Sequence, residues 1–113
     1  MKHIIAYIKP HKLTKVNMAL HQIKELTGIT VIDVRGYGRG KFTTDRHSIE
    51  DDLIDHVPHV KIELFCWDEL VEEIITTIQT KAHTGLKGDG KIYITEAIDA
   101  VRISTGERGP GAV

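Results

Sequence analysis

Apolar and polar positions along the chain follow two alternating periods. His3–Lys9 is β-branched and apolar and is stopped by Pro10, which predicts a short buried strand. Leu13, Val16, Ala19, Leu20, Ile23 and Leu26 then recur at three- and four-residue steps. They form the apolar stripe of a helix, with Lys12, Lys15, Asn17, Gln22 and Lys24 on its other face and Gly28 as its terminator. Ile29–Tyr37 reads as a second strand, closed by Gly36 and Gly38. From Pro58 the period is two again: Val60, Ile62, Leu64 and Cys66 alternate with Lys61, Glu63 and Phe65. Asp68 is placed to N-cap a second helix whose stripe is Leu70, Val71, Ile74, Ile75, Ile78 and Ala82. Its first turn carries Glu69, Glu72 and Glu73, which suits the helix dipole. A glycine-rich loop at His83–Gly90 leads into a fourth strand, Lys91–Glu96. Val101–Ser104 predicts a short fifth strand, and the small residues of Gly109–Val113 predict a mobile end to a tail spanning about 98–113.

The order strand, helix, strand, strand, helix, strand predicts an α+β, ferredoxin-like βαββαβ fold in one domain, residues 1–113. Both helices then lie on one sheet face. The other face is bare, with either Ile5 and Tyr7 or Ile4 and Ile8 pointing there, and self-association is its simplest cover.

Periodicity disappears between Gly38 and Val57. There Lys41 and Arg46 stand against Asp45, Glu50, Asp51, Asp52 and Asp55, a net charge of −3 for Lys41–Asp55. Structureless loops longer than about 12–15 residues are uncommon in compact domains and usually carry function, so this loop is a candidate contact surface.

Composition narrows the classes. A chain of 113 residues builds one packed core and has no room for a separate cofactor lobe. With 15 Lys and Arg against 16 Asp and Glu, the net charge is −1, which argues against a nucleic-acid partner. One cysteine, Cys66, excludes a disulfide framework within the chain and points to a reducing, cytoplasmic setting. The apolar stretch at the N-terminus is too short for a signal core or a membrane span.

Two glycine clusters invite a nucleotide reading, and neither matches a standard motif. Gly36-Tyr37-Gly38-Arg39-Gly40 has its third glycine one residue early for a dinucleotide fingerprint, and no helix follows. Gly85-Leu86-Lys87-Gly88-Asp89-Gly90-Lys91 begins like a P-loop, but Ile92 stands where Ser or Thr is needed and a strand follows. Glycine turns nevertheless let backbone N–H groups approach an anion, and each cluster carries a cation, Arg39 or Lys91. One bound phosphate group accounts for both. The alternative is two tight turns with surface charges.

These segments together resemble the PII signal-transduction family over essentially the whole chain. The likeness is carried by Ile8-Lys9-Pro10, Gly36-Tyr37-Gly38-Arg39, Pro58 with Val60-Lys61-Ile62-Glu63, Thr84-Gly85 through Gly88-Asp89-Gly90-Lys91-Ile92, and Val101-Arg102-Ile103-Ser104-Thr105-Gly106-Glu107. The resemblance implies a homotrimer that binds ATP or ADP between neighbouring subunits and docks its long loop onto a transporter, enzyme or regulator. Gly36, Gly38 and Arg39 would close over the phosphates. Gly88, Asp89, Gly90 and Lys91 would form the opposing phosphate loop, with Arg102 reaching in from a neighbour. Thr30, Glu63 and Phe65 would lie near adenine and ribose. Lys41, Arg46, His47, Glu50 and Asp52 would belong to the partner-binding loop.

Some positions depart from that pattern. Gly40 stands where the family's nitrogen sensors have the glutamine that ligates magnesium beside 2-oxoglutarate, and His59 stands where they have a carboxylate-gripping lysine. Both changes argue against 2-oxoglutarate sensing. Asp52 occupies the place of the modified loop tyrosine of some members, and Lys41–Asp55 holds no tyrosine, so uridylylation there is excluded. Ser104 replaces the second of two C-terminal arginines, which should help ADP or AMP compete with ATP.

The resulting expectation is a non-catalytic, nucleotide-responsive regulator. One alternative is a metal-responsive relative acting on a membrane transporter through His47, His56 and His59, since imidazole with carboxylate suits zinc, copper or nickel. No pair of these has the spacing of a known site, and a solvated polar loop explains them as well. A small phosphohydrolase is the remaining class, but Asp89 is the one acidic residue in the glycine-rich segments and no catalytic constellation surrounds it.

Overall fold

A computed structural model describes residues 1–36 and 57–113. Expectations for the long loop, and for Gly38, Arg39, Lys41, Arg46, His47, Glu50, Asp52 and His56, lie outside the described residues.

The elements are β1 (Lys2–Ile8), α1 (Leu13–His21), β2 (Thr30–Gly36), β3 (Val57–Cys66), α2 (Val71–Ala82) and β4 (Gly90–Glu96). The four strands form one sheet in the order β2-β3-β1-β4, every neighbouring pair antiparallel. This is the predicted ferredoxin-like arrangement. Among the described residues no helix is long and apolar enough to cross a membrane.

The alternation read from the sequence sets the layers. Ile4, Ala6 and Ile8 of β1 and Val60, Ile62, Leu64 and Cys66 of β3 are buried beneath Val16 and Leu20 of α1 and Ile74 and Ile78 of α2. Ile5 and Tyr7 therefore face the open side, which decides between the two alternatives. Across that side Tyr7 meets Tyr93 edge-on at 6.3 Å, and His3 stacks on Phe65 at 4.5 Å. Phe65 and Tyr93 remain about half exposed. The helices cover the two central strands, so Ile94 on β4 and Val31 on β2 are exposed at the edges.

Four local expectations are corrected. First, α1 stops at His21, short of Leu26. Two tight turns continue the stripe, with Ile23 N donating to Leu20 O at 3.0 Å and Leu26 N to Ile23 O at 3.2 Å. A three-residue turn repeats the apolar spacing as well as a helix does, so Ile23 is still buried.

Second, Asp68 does not cap α2. It opens a 3-10 turn, Asp68–Leu70, and its carboxylate accepts from the Met1 amino group at 2.8 Å.

Third, Val101–Ser104 is not a strand. A single bridge joins Val101 to Arg108, and the turn between them closes with Gly106 N donating to Arg102 O at 2.7 Å.

The end of the tail is packed, contrary to the expectation of mobility. Gly109 N donates to Ala100 O at 3.0 Å and to Asp99 Oδ1 at 3.1 Å. Trp67 Nε1 donates to Pro110 O at 2.8 Å, and Pro110–Ala112 forms a 3-10 turn. A glycine-rich composition signals freedom only when no donor on the body of the fold claims its carbonyls.

Candidate functional site

Strand register gathers the sequence-derived site residues into two groups at opposite ends of the sheet. Thr30 pairs with Glu63 at the start of β2, and Phe65 lies two residues further along β3 on the same face. Beside them a cavity of about 330 Å³ is lined by Gly28, Ile29, Thr30, Glu63, Leu64 and Phe65 from β2, β3 and the segment before β2. Ala100, Ala112 and Val113 of the tail form another wall. A cavity of that size, mostly apolar with one carboxylate, suits a flat heteroaromatic ligand. His3 Nε2 lies 3.2 Å from Glu63 Oε2, and Lys61 Nζ lies 3.5 Å from the same oxygen. These neighbours, His3 foremost, hold the Glu63 carboxyl below its ordinary range, so it acts as an acceptor.

At the other end is the glycine turn. Gly85, Gly88 and Gly90 all have positive φ, from +79° to +106°, a backbone region that side-chain-bearing residues rarely adopt. The Asp89 carboxylate holds the turn from inside. It accepts from Thr84 N at 2.9 Å, from the Thr84 hydroxyl and from Gly85 N at 3.2 Å, and it pairs with Lys9 Nζ at 3.2 Å. The Thr84 hydroxyl and amide, then Lys9 and Gly85, push the Asp89 pKa far below the usual carboxylate range. A carboxylate with its acceptor sites so filled is a structural latch and a poor general base. Lys91 follows on β4, opposite Tyr7 on the open face.

His59, on β3, reaches the same turn. Its Nε2 lies 3.4 Å from Gly88 O and its Nδ1 3.2 Å from Val57 O. Gly36 ends β2 at this end of the sheet, but on the opposite edge from Gly90. The two stand three strand spacings, about 14 Å, apart across the sheet, and are offset by three residues along it.

The groups are well separated. Gly90 pairs with Ile8, and Ile8 with Val60, which places the glycine turn five residues from Phe65 along β3. That is about 17 Å. Arg102 belongs to the tail, where Nη2 donates to Gly111 O at 3.2 Å and Nη1 lies 3.8 Å from Glu107 Oε2. One chain thus presents the cavity beside Phe65 and the glycine turn as two separate groups.

Spacing alone did not point to Lys9 as part of the turn, because Lys9 reaches Thr84 Oγ1, at 3.0 Å, across 75 residues. Nor did it point to the tail as a cavity wall. The one available signal was the tail's apolar end, Ala112-Val113.

Comparison with known proteins identifies the family. The family model described as "Nitrogen regulatory protein P-II" matches residues 1–107. The chain is 49% identical to the nitrogen regulatory protein P-II of Rhodospirillum rubrum, 47% to that of Azospirillum brasilense and 41% to nitrogen regulatory protein P-II 1 of Escherichia coli K12. Each match spans the full length of both chains. The chain belongs to the P-II family of nitrogen regulatory proteins, which are non-catalytic signal transducers.

Proposed function

We propose that this chain acts as a homotrimeric cytoplasmic regulator in which an adenine nucleotide, held between two subunits, sets the state of residues 37–56 toward a partner protein. P-II proteins form trimers, bind ATP or ADP and 2-oxoglutarate, and act on partner proteins. The observation that carries the reading is the separation of the half-sites. Thr30, Glu63 and Phe65 at one end of the sheet would take adenine and ribose. Gly88, Gly90 and Lys91 of a neighbouring copy would take the phosphates, with Gly36, Gly38 and Arg39 closing over them. The open face supplies the surface for such assembly, since Ile5, Tyr7, Phe65 and Tyr93 lie on it. Asp89 serves by shaping the turn, and Arg102 by reaching the phosphates across the interface.

The effector preference follows from charge. Ser104 leaves Arg102 as the one cation of Val101–Glu107, so ADP or AMP competes with ATP better than in relatives with two arginines. Both ring nitrogens of His59 face backbone carbonyls, leaving it poorly disposed toward a 2-oxoglutarate carboxylate. The same engagement weakens the metal-responsive alternative at the one described histidine of His47, His56 and His59. The nucleotide biases the partner-facing segment only by its differential affinity for two states of that segment.

Titration calorimetry with ADP, AMP, ATP-Mg and ATP-Mg plus 2-oxoglutarate, alongside light scattering for mass, tests the reading. Binding of ADP within about tenfold of ATP-Mg, no gain from 2-oxoglutarate and a trimeric mass are expected. ATP-Mg binding more than tenfold tighter and strengthened by 2-oxoglutarate would overturn the effector preference. A monomer that binds no nucleotide would overturn the whole.

A further inference from the structure

The tail wall of the adenine-sized cavity has its own support. Gly109, at φ +82°, turns the chain back toward the sheet, and its N–H is taken by Asp99 Oδ1 and Ala100 O. Beyond it Trp67 Nε1 holds the Pro110 carbonyl at 2.8 Å. The 3-10 turn then closes on itself, with Ala112 N donating to Gly109 O at 2.9 Å and Val113 N to Pro110 O at 3.3 Å. The outcome is that Ala112 and Val113, both partly buried, line the same cavity as Thr30 and Phe65.

We propose that Pro110–Val113 is a strap latched by Trp67, forming the apolar wall against which the adenine of a bound nucleotide packs. The proposal rests on the adenosine reading of this cavity and adds a binding element outside the glycine turns. Its chemistry is that of a small aliphatic wall: Ala112 and Val113 offer no hydrogen-bonding side chain and cover a flat ring by contact alone. Trp67 fixes where that wall stands. It is therefore a positioning residue.

Trp67 is the single tryptophan of the chain, so the latch carries its own optical reporter. ADP binding to the full chain, to a chain ending at Gly109 and to Trp67→Phe is measured by calorimetry, and Trp67 emission is followed during titration of the first two. Losing a wall of one valine-sized contact weakens ADP binding by about tenfold in the shortened chain. Trp67→Phe keeps a ring but loses the N–H donor, and weakens binding by about threefold. Trp67 emission responds to ADP in the full chain and loses that response without the strap. ADP affinity within twofold of the full chain after removal of the strap, or an undiminished emission response, overturns the strap and leaves the adenosine reading standing. Absence of ADP binding in the full chain overturns both. If the shortened chain does not fold, Val113→Gly in the full chain carries the same measurement.

Discussion

A Cβ atom on Gly90 would overlap the carbonyl oxygen of Tyr7, the residue before its β1 partner Ile8. The backbone there also sits at φ +106°. Gly90 is thus fixed twice, by conformation and by space. Gly88, at φ +81°, has Lys9 Cε at 3.9 Å as its nearest neighbour and is fixed by conformation alone. Gly90→Ala is expected to lower stability by about 3 kcal/mol, and Gly88→Ala by about 1 kcal/mol. Denaturant midpoints at one protein concentration give the comparison, and equal losses would contradict it.

The Thr84 hydroxyl is the pivot of the glycine turn, because it donates to Asp89 while accepting from Lys9 Nζ at 3.0 Å and Leu86 N at 3.1 Å. Thr84→Val keeps the shape and removes all three bonds. Nucleotide affinity should fall about tenfold, and Thr84→Ser should restore most of it. Calorimetry on both variants decides, and equal affinities for Val and Ser would show that the hydroxyl has no part in shaping the turn.

Acid should destabilise the fold through four carboxylates. Glu63, Asp68, Asp89 and Asp99 all have lowered pKa values, held chiefly by His3, the Met1 amino group, Thr84 and Arg108 respectively. In the unfolded chain these groups return to ordinary values of about 3.9 for Asp and 4.3 for Glu. Between those values and the folded ones the unfolded state binds more protons, so the native state loses ground as pH falls. Stability from these groups is complete above about pH 5 and declines as pH drops through 4 and below. Thermal melts at constant salt from pH 7 to pH 3 should show the decline, and a level or rising profile would refute it.

Cys66 is buried at 2% exposure, and burial pushes its thiol above the ordinary value. A thiol reagent at pH 8 should react with the folded protein at least about 100-fold more slowly than with the denatured chain. Rapid labelling under native conditions would place Cys66 outside the core.

The sheet and both helices were legible because β1 and β3 alternate strictly and the helix stripes are clean. The ends were less so. Ile23 and Leu26 keep a helical spacing while the backbone passes into three-residue turns, which period alone does not distinguish. Asp68 looked like a cap because its competitor, the Met1 amino group, is 67 residues away in the chain. The glycine turn could be read locally from residues that require positive φ. Its latch could not, since Lys9 arrives from the end of β1. Thr30, Glu63 and Phe65 entered through family likeness, and strand register then placed them around one cavity. The packed tail ran against its composition, because one indole N–H outweighed the freedom that Gly109 and Gly111 suggest.

In the proposed homotrimer, the open sheet face would make the melting point a property of the population as much as of the molecule. With Ile5, Tyr7, Phe65 and Tyr93 covered by neighbouring copies in that trimer, part of what holds each chain together would come from mass action, and dilution would withdraw it. Two preparations of identical sequence at different doses should therefore denature at different temperatures, the scarcer one first.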